Sequence, residues 1–229
     1  MAIDYAQCAA CPVTPDRRVC HTEDGEGPAW CPTLEGSDAL ARAADQYRDP
    51  WTGEFALRAS IQEAAGYANR GTPHRRPAKT RIEEICDFAR RMGYRRLGLA
   101  FCAGLHREAT LVHGILAAQG FEVVSVVCKV GRVPKEDVGV QDKDKICPGQ
   151  PEAMCNTIAQ AELLHEAGTE LNILLGLCVG HDSLFFRHSK APVTVLAAKD
   201  RVTAHCPLAA VYTSGSYYSS LLASKGAAK

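Results

Sequence analysis

The chain has 229 residues, 26 basic and 26 acidic side chains, no formal net charge and 46% hydrophobic residues. Balanced charge argues against a protein built around the nucleic-acid backbone or an acidic membrane, since both call for a basic excess. The longest apolar stretches, such as 121–127, fall far short of the roughly 18 residues a membrane helix needs. A soluble globular chain of this length folds without crosslinks, so its 11 cysteines need another explanation. The opening residues, Met1-Ala2-Ile3-Asp4-Tyr5-Ala6, lack a basic region followed by an apolar run. The sequence therefore predicts no signal peptide and a cytoplasmic protein whose thiols stay reduced, for which an odd cysteine count is natural. Metal or iron-sulfur ligation is the leading explanation.

Three regions are expected: a Cys-rich metal-binding segment at 1–36, a helical segment at 37–95 and an α/β domain at 96–229. The first holds Cys8, Cys11, Cys20 and Cys31 among Pro12, Pro15, Pro28, Pro32, Gly25, Gly27 and Gly36, with almost no periodic apolar pattern to make a core. From Ser37, an expected N-cap, the helical spacings of Leu40, Ala44 and Tyr47, then of Phe55, Ala59, Ala64 and Tyr67, predict two helices broken near Pro50. Residues 70–81 carry five Arg or Lys, two prolines and no acid, and read as a solvated connector. Thr80-Arg81-Ile82-Glu83 is a capping-box pattern. It leads into an apolar helix face of Ile82, Ile85, Cys86 and Ala89 that ends near Gly93, with Cys86 in the core.

The period then changes. Runs at 96–102, 121–128, 171–178 and 192–199 are short and almost continuously apolar, as strands buried on both faces are. Helical segments near 105–119, 156–167 (capped by Asn156) and 181–190 alternate with them. This predicts a parallel, flavodoxin- or Rossmann-like sheet of about four strands with flanking helices and right-handed crossovers. The link at 131–150, with four basic and four acidic residues, is expected to be a surface excursion over the sheet edge or a site.

Ligands of an open parallel sheet bind beyond the carboxyl ends of its strands, where helix N-termini also point inward. Three of the four expected strands end in cysteine, at Cys102, Cys128 and Cys178, and the fourth ends in Lys199-Asp200. Cys155, ahead of the helix capped by Asn156, can join them. Taken singly, Cys102 and Cys128 read equally well as small buried hydrophobes. Cys178 points to function, because it stands in Gly176-Leu177-Cys178-Val179-Gly180-His181-Asp182, where glycines allow a tight turn and two ionisable groups follow. Gly-x-Cys-x-Gly also fits a nucleophile elbow, with Asp200 and His205 following in hydrolase order. Five residues between acid and histidine is too compressed for that fold, although a Cys178 thiolate assisted by His181 is reasonable chemistry.

Cys8-x2-Cys11-x8-Cys20-x10-Cys31 is the stronger metal signal, because four thiols in a segment without a core can fold around one zinc or one four-iron cluster. Proline after Cys11 and Cys31 favours iron-sulfur, and His21 can replace a thiol. The sequence has no Gly-x-Gly-x-x-Gly after a strand, no Gly-x4-Gly-Lys-Ser/Thr and no His-Glu-x-x-His. His74, His113, His165 and His188 read as solvated or locally bonded. Cys147 and Cys206 receive no role.

Several segments together resemble a cysteine-rich bacterial family labelled uncharacterised or predicted metal-binding proteins. They are Cys-x2-Cys near the start, Val127-Cys128-Lys129-Val130-Gly131, Pro148-Gly149, Met154-Cys155-Asn156, Gly176 to Phe185, Ala191-Pro192-Val193-Thr194 and Lys199-Asp200-Arg201-Val202. The resemblance covers most of the chain from about residue 96 and, more loosely, the first 31 residues. It implies metal binding and brings no activity with it, and His205-Cys206-Pro207 departs from its wording.

The reading that follows has two sites. Cys8, Cys11, Cys20 and Cys31 hold a [4Fe-4S] cluster or zinc. A second [4Fe-4S] cluster is held by Cys128, Cys155 and Cys178, with Cys102 as fourth ligand or near neighbour. With three thiolates one iron stays open as a Lewis acid on a small substrate carrying sulfur or oxygen. His181 and Asp182 are then the acid/base pair, and Lys199 with Arg201 holds an anionic group, as in an iron-sulfur lyase or desulfidase-like enzyme. The alternatives are a non-catalytic redox, sensing or electron-transfer module with four protein ligands, and a cysteine-nucleophile hydrolase at Cys178. The expected partners are a small-molecule substrate or a redox partner, with neither nucleic acid nor membrane.

Overall fold

A computed structural model describes residues 6–36 and 38–223. The chain divides into two units, 1–63 and 64–229. The expected cap at Ser37 lies outside the described residues.

In the first unit, residues 6–36 form short 3-10 turns and a one-turn helix α1 (Pro32–Glu35), and no described residue there is buried. The Arg17–Glu26 ion pair and the Arg18 Nε–H donated to the Val13 carbonyl (2.8 Å) brace this segment in place of a core. Helices α2 (Asp38–Gln46) and α3 (Pro50–Ala65) follow. Pro50 starts α3, since proline suits a first turn whose N–H has no helical partner. The carboxylate of Asp49 closes that turn by accepting from the Thr52 amide (2.9 Å) and hydroxyl (2.8 Å).

The second unit opens on an unexpected element. Strand β1 (Tyr67–Ala68), where the second helix is expected to run on through Tyr67, pairs antiparallel with β2 (Arg76–Pro77) in the stretch expected to be a connector. Asn69 and Gly71 supply the left-handed backbone of the turn, and the Arg75 guanidinium lies 5.7 Å from the Tyr67 ring centroid. One of the basic residues is therefore engaged with an aromatic face. Helix α4 (Arg81–Arg91) starts with the expected capping box, the Thr80 amide donating to Glu83 at 2.7 Å, and buries Ile85, Cys86 and Ala89.

Four parallel strands form the sheet: β3 (Arg96–Phe101), β4 (Glu122–Val127), β5 (Leu171–Leu175) and β6 (Val193–Ala197), in the order β4-β3-β5-β6. The central strands β3 and β5 are almost wholly buried, whereas the edge strands β4 and β6 are half-buried, which is why their runs admit Glu122, Ser125 and Thr194. Helices α5 (His106–Ala118), α6 (Thr157–Glu166) and α7 (His181–His188) connect the strands and add Leu116, Leu164 and Phe185 to the core. The Asn156 side chain caps α6 by accepting from the Ala159 amide (3.2 Å). A short helix α8 (Leu208–Tyr212) follows the sheet.

The strands are shorter than the apolar runs. Cys102 and Cys128 directly follow β3 and β4, and their amides still extend the ladder to the Leu175 (3.2 Å) and Phe101 (2.9 Å) carbonyls. Beyond β5 the chain turns away at Gly176 (φ 65°), so Cys178 lies three residues past the strand. The 131–150 link is a chain of 3-10 turns, bridged Pro134 to Ala153 and held by the Lys135–Glu152 pair and by Lys145 between Glu136 and Asp142. Among the described residues no helix is long and apolar enough to cross a membrane.

Candidate functional site

The strand order places a reversal between β3 and β5: the chain leaves β3 for β4 on one side and β5 for β6 on the other. In such sheets the loops part above this point and leave a crevice at the carboxyl ends. Cys102 follows β3 there, and the Gly176–Gly180 turn follows β5.

Cys128 is the centre of a thiol cluster. Its side chain is 1% exposed, hydrogen-bonds with both Cys102 and Cys155, and accepts the Ala103 amide at 3.3 Å. Burial and the two neighbouring sulfurs hold its thiol far above the ordinary range, with the Cys102 hydrogen bond the largest cause. The hydrogen bond from Cys128 draws the Cys102 thiol well below that range, against the effect of burial, and the Gly104 backbone and Lys199 act in the same direction. Cys155 is lowered in the same way, first by Cys128 and further by the charges of Lys129 and His181. Cys128 thus lies between Cys102 and Cys155, with its neutral form favoured and the charged forms of its two neighbours favoured.

Cations surround it. Lys199 Nζ lies 3.2 Å from Cys102 Sγ, and a side chain at Gly104 would crowd that ammonium, with a Cβ 3.3 Å from Nζ. Arg201 Nη2 lies 3.2 Å from Cys178 Sγ. That thiol and the charges of Cys178, Cys102 and Cys155 together raise the Arg201 guanidinium further above its usual value. Lys129 donates to the Ala153 carbonyl (2.5 Å) and the Asn156 amide to the Cys128 carbonyl (2.7 Å), which ties the loop carrying Cys155 to the end of β4.

His181 begins α7 behind Gly180 (φ 85°), and its Nδ1 is buried without a hydrogen-bond partner. The Asp182 carboxylate closes the same turn, accepting from the amides of Gly180 (2.9 Å) and Ser183 (2.8 Å). The elbow-like order of Cys178, Asp200 and His205 does not form the acid-to-imidazole link of a triad. Asp200 accepts from the Val202 (2.9 Å) and Thr203 (3.0 Å) amides, while His205 Nδ1 accepts the Asp200 amide (3.1 Å).

In the first unit Cys8 and Cys20 are exposed and Cys11 and Cys31 half-buried, and His21 Nδ1 donates to the Pro15 carbonyl (2.7 Å). Among the described residues no group of three or more His, Cys, Asp or Glu is poised as it stands to hold a metal ion. Cys86 is buried in α4, as expected, and Cys147 and Cys206 are exposed. Sequence reasoning missed Gln160, a fully buried side chain of α6 that donates to the Phe101 (3.2 Å) and Val126 (2.6 Å) carbonyls, and the contribution of Lys129. A glutamine beside Ala161 on the buried face of α6 is the signal that could have found the first.

The family model described as "Protein of unknown function (DUF1847)" matches residues 31–196. That span includes Cys102, Cys128, Cys155 and Cys178, and it excludes Cys8, Cys11, Cys20, Lys199 and Arg201. "Uncharacterized protein MJ0455" from Methanocaldococcus jannaschii is 51% identical over 135 residues, which is 59% of this chain and 68% of the relative. The relative is archaeal, and neither description carries the bacterial origin or the metal binding that the resemblance implied. The family match spans well over half of the sequence, and the chain belongs to this DUF1847 family of proteins of unknown function.

Proposed function

We propose that this chain is a metal-binding protein with an iron-sulfur cluster at the carboxyl rim of the sheet. Cys102, Cys128 and Cys155 carry it, and Cys178 is the fourth donor or a near neighbour. The observation that supports this is the contact of Cys128 with both Cys102 and Cys155, inside a ring of Lys129, Lys199 and Arg201. Soft metals take thiolates, and the surroundings of Cys102 and Cys155 draw both thiols below their ordinary range. A metal there would be held by these thiolates, and its binding would release protons because the ligands must be deprotonated.

Bound there, a cluster supplies electron transfer or, with an iron open, Lewis acidity. The surrounding side chains have their own roles. Lys199 and Arg201 offset the negative charge of the thiolates and hold an anionic ligand at the crevice. His181 Nδ1, buried and unpartnered beside Cys155, is the position from which a proton can be given or taken, while Asp182 fixes the turn that places it. Cys8, Cys11, Cys20 and Cys31 form a separate site for a cluster or zinc, supported by the lack of any buried residue in 6–36, a segment that metal binding would fold.

Iron, zinc and acid-labile sulfide per chain, measured after anaerobic purification, test this reading. Cys128→Ser should lose the rim iron and sulfide and keep the N-terminal metal, and Cys8→Ser should do the reverse. Equal losses in the two variants, or a wild-type chain free of iron and sulfide, would overturn it.

A further inference from the structure

We infer that Gln160 is the positioning residue that sets the spacing of the rim thiols. Gln160 lies on α6 and is fully buried. Its amide nitrogen donates both hydrogens, to the carbonyls of Phe101 (3.2 Å) and Val126 (2.6 Å). Phe101 is the last residue of β3, next to Cys102, and Val126 lies two residues before Cys128. The helix that carries Gln160 begins directly after Cys155-Asn156, and the Asn156 amide donates to the Cys128 carbonyl at 2.7 Å. One side chain thus pins to each other the three segments that deliver Cys102, Cys128 and Cys155.

Packing alone does not call for a glutamine here. Ala161 and Leu164 fill the same buried face with apolar groups, and Gln160 Oε1 is left buried without a partner. An unsatisfied buried polar atom costs roughly 1–3 kcal/mol. The amide carries that cost while its two N–H groups lock the strand ends. Register supports the geometry, because Phe101 pairs with Val127 and places Cys102 opposite Cys128 on neighbouring strands. The inference rests on the rim being a thiol site, and not on the metal it holds.

A metal-free measurement on the full chain keeps the two apart. In a glutathione buffer, Cys102 and Cys128 thiols exchange with oxidised glutathione to give one protein disulfide and two reduced glutathiones. The equilibrium constant is read by mass mapping of the linked peptides, against the competing Cys128–Cys155 link. Gln160→Met keeps the length of the side chain and removes both donors. It should lower the constant for the Cys102–Cys128 link about tenfold, the effect of losing a hydrogen-bonded restraint. Asn172→Leu, which breaks a buried hydrogen-bond network at the amino-terminal end of the sheet, controls for lost stability and should leave the constant unchanged. The inference falls if Gln160→Met leaves the constant at the wild-type value, if Asn172→Leu lowers it as much, or if the wild-type chain forms no Cys102–Cys128 link. Iron analysis does not enter this readout, so a failed metal assignment leaves it standing.

Discussion

Gly176 decides where the chain goes after β5, and Gly176→Ala tests that in measurable terms. The residue has φ 65°, and a Cβ there would lie 2.1 Å from Leu105 Cδ1. Leu105 is 2% exposed in the turn between Cys102 and α5, so it has little room to retreat. Left-handed backbone costs a non-glycine residue roughly 1–2 kcal/mol, and forcing an extra carbon into a packed site adds roughly 1–3 kcal/mol. Two other glycines separate these effects. Gly180 has φ 85° with nothing within 4 Å of its Cβ position, so Gly180→Ala carries the backbone cost alone. Gly98 has no left-handed backbone, but its Cβ would meet Asn172 Oδ1 at 2.0 Å, so Gly98→Ala carries the overlap alone. Denaturant midpoints at constant m-value should place Gly176→Ala below Gly180→Ala by about 1–3 kcal/mol. Equal midpoints for these two variants would refute the claim that Leu105 fills the space behind the turn.

Two further outcomes are expected. Lys79 hydrogen-bonds Asp87 and holds its carboxyl below the usual 3.8, so the native state favours the charged form. That stabilisation is complete above the unfolded-state value and is lost as pH falls through the folded one. For this partly exposed pair, Asp87→Asn should cost about 0.5–1 kcal/mol at neutral pH. The difference from wild type should close in acid; a gap that stays constant would refute the pairing. In metal-free native protein, mass-mapped alkylation should reach exposed Cys8, Cys20, Cys147 and Cys206 well before buried Cys86. Cys86 is 3% exposed and burial pushes its thiol up, and reagents attack the thiolate. Labelling of Cys86 as fast as Cys147 would contradict its place in the core.

The α/β architecture was legible because its signals are local. The continuous apolar runs at 96–102 and 171–178 mark strands covered on both faces, and Thr80 with Glu83 and Asn156 with Ala159 are caps written within a few residues. The β1–β2 pair escaped because two-residue strands have no period, and the Arg75–Tyr67 contact within it spans a turn. The carboxyl-end cysteines were legible as a group, since each follows an apolar run. The distinction among them was not. Cys128 became the centre of the cluster only when β4 paired with β3, and Cys178 a thiol facing Arg201 only when β6 paired with β5.

Sequence by itself determined the elements and the supply of thiols: four strands, the helices between them, and cysteines where the strands run out. These depend on residue types and short spacings, which act within a turn or a strand. Only the tertiary structure decided which thiols meet, which of them is pushed up and which are drawn down, and that Gln160 holds the carbonyls of Phe101 and Val126. Those outcomes depend on strand order and on burial. Contacts across 25 to 97 residues of chain, such as Ala103 with Cys128 and Lys199 with Cys102, exist only once the sheet has closed and water has left the rim.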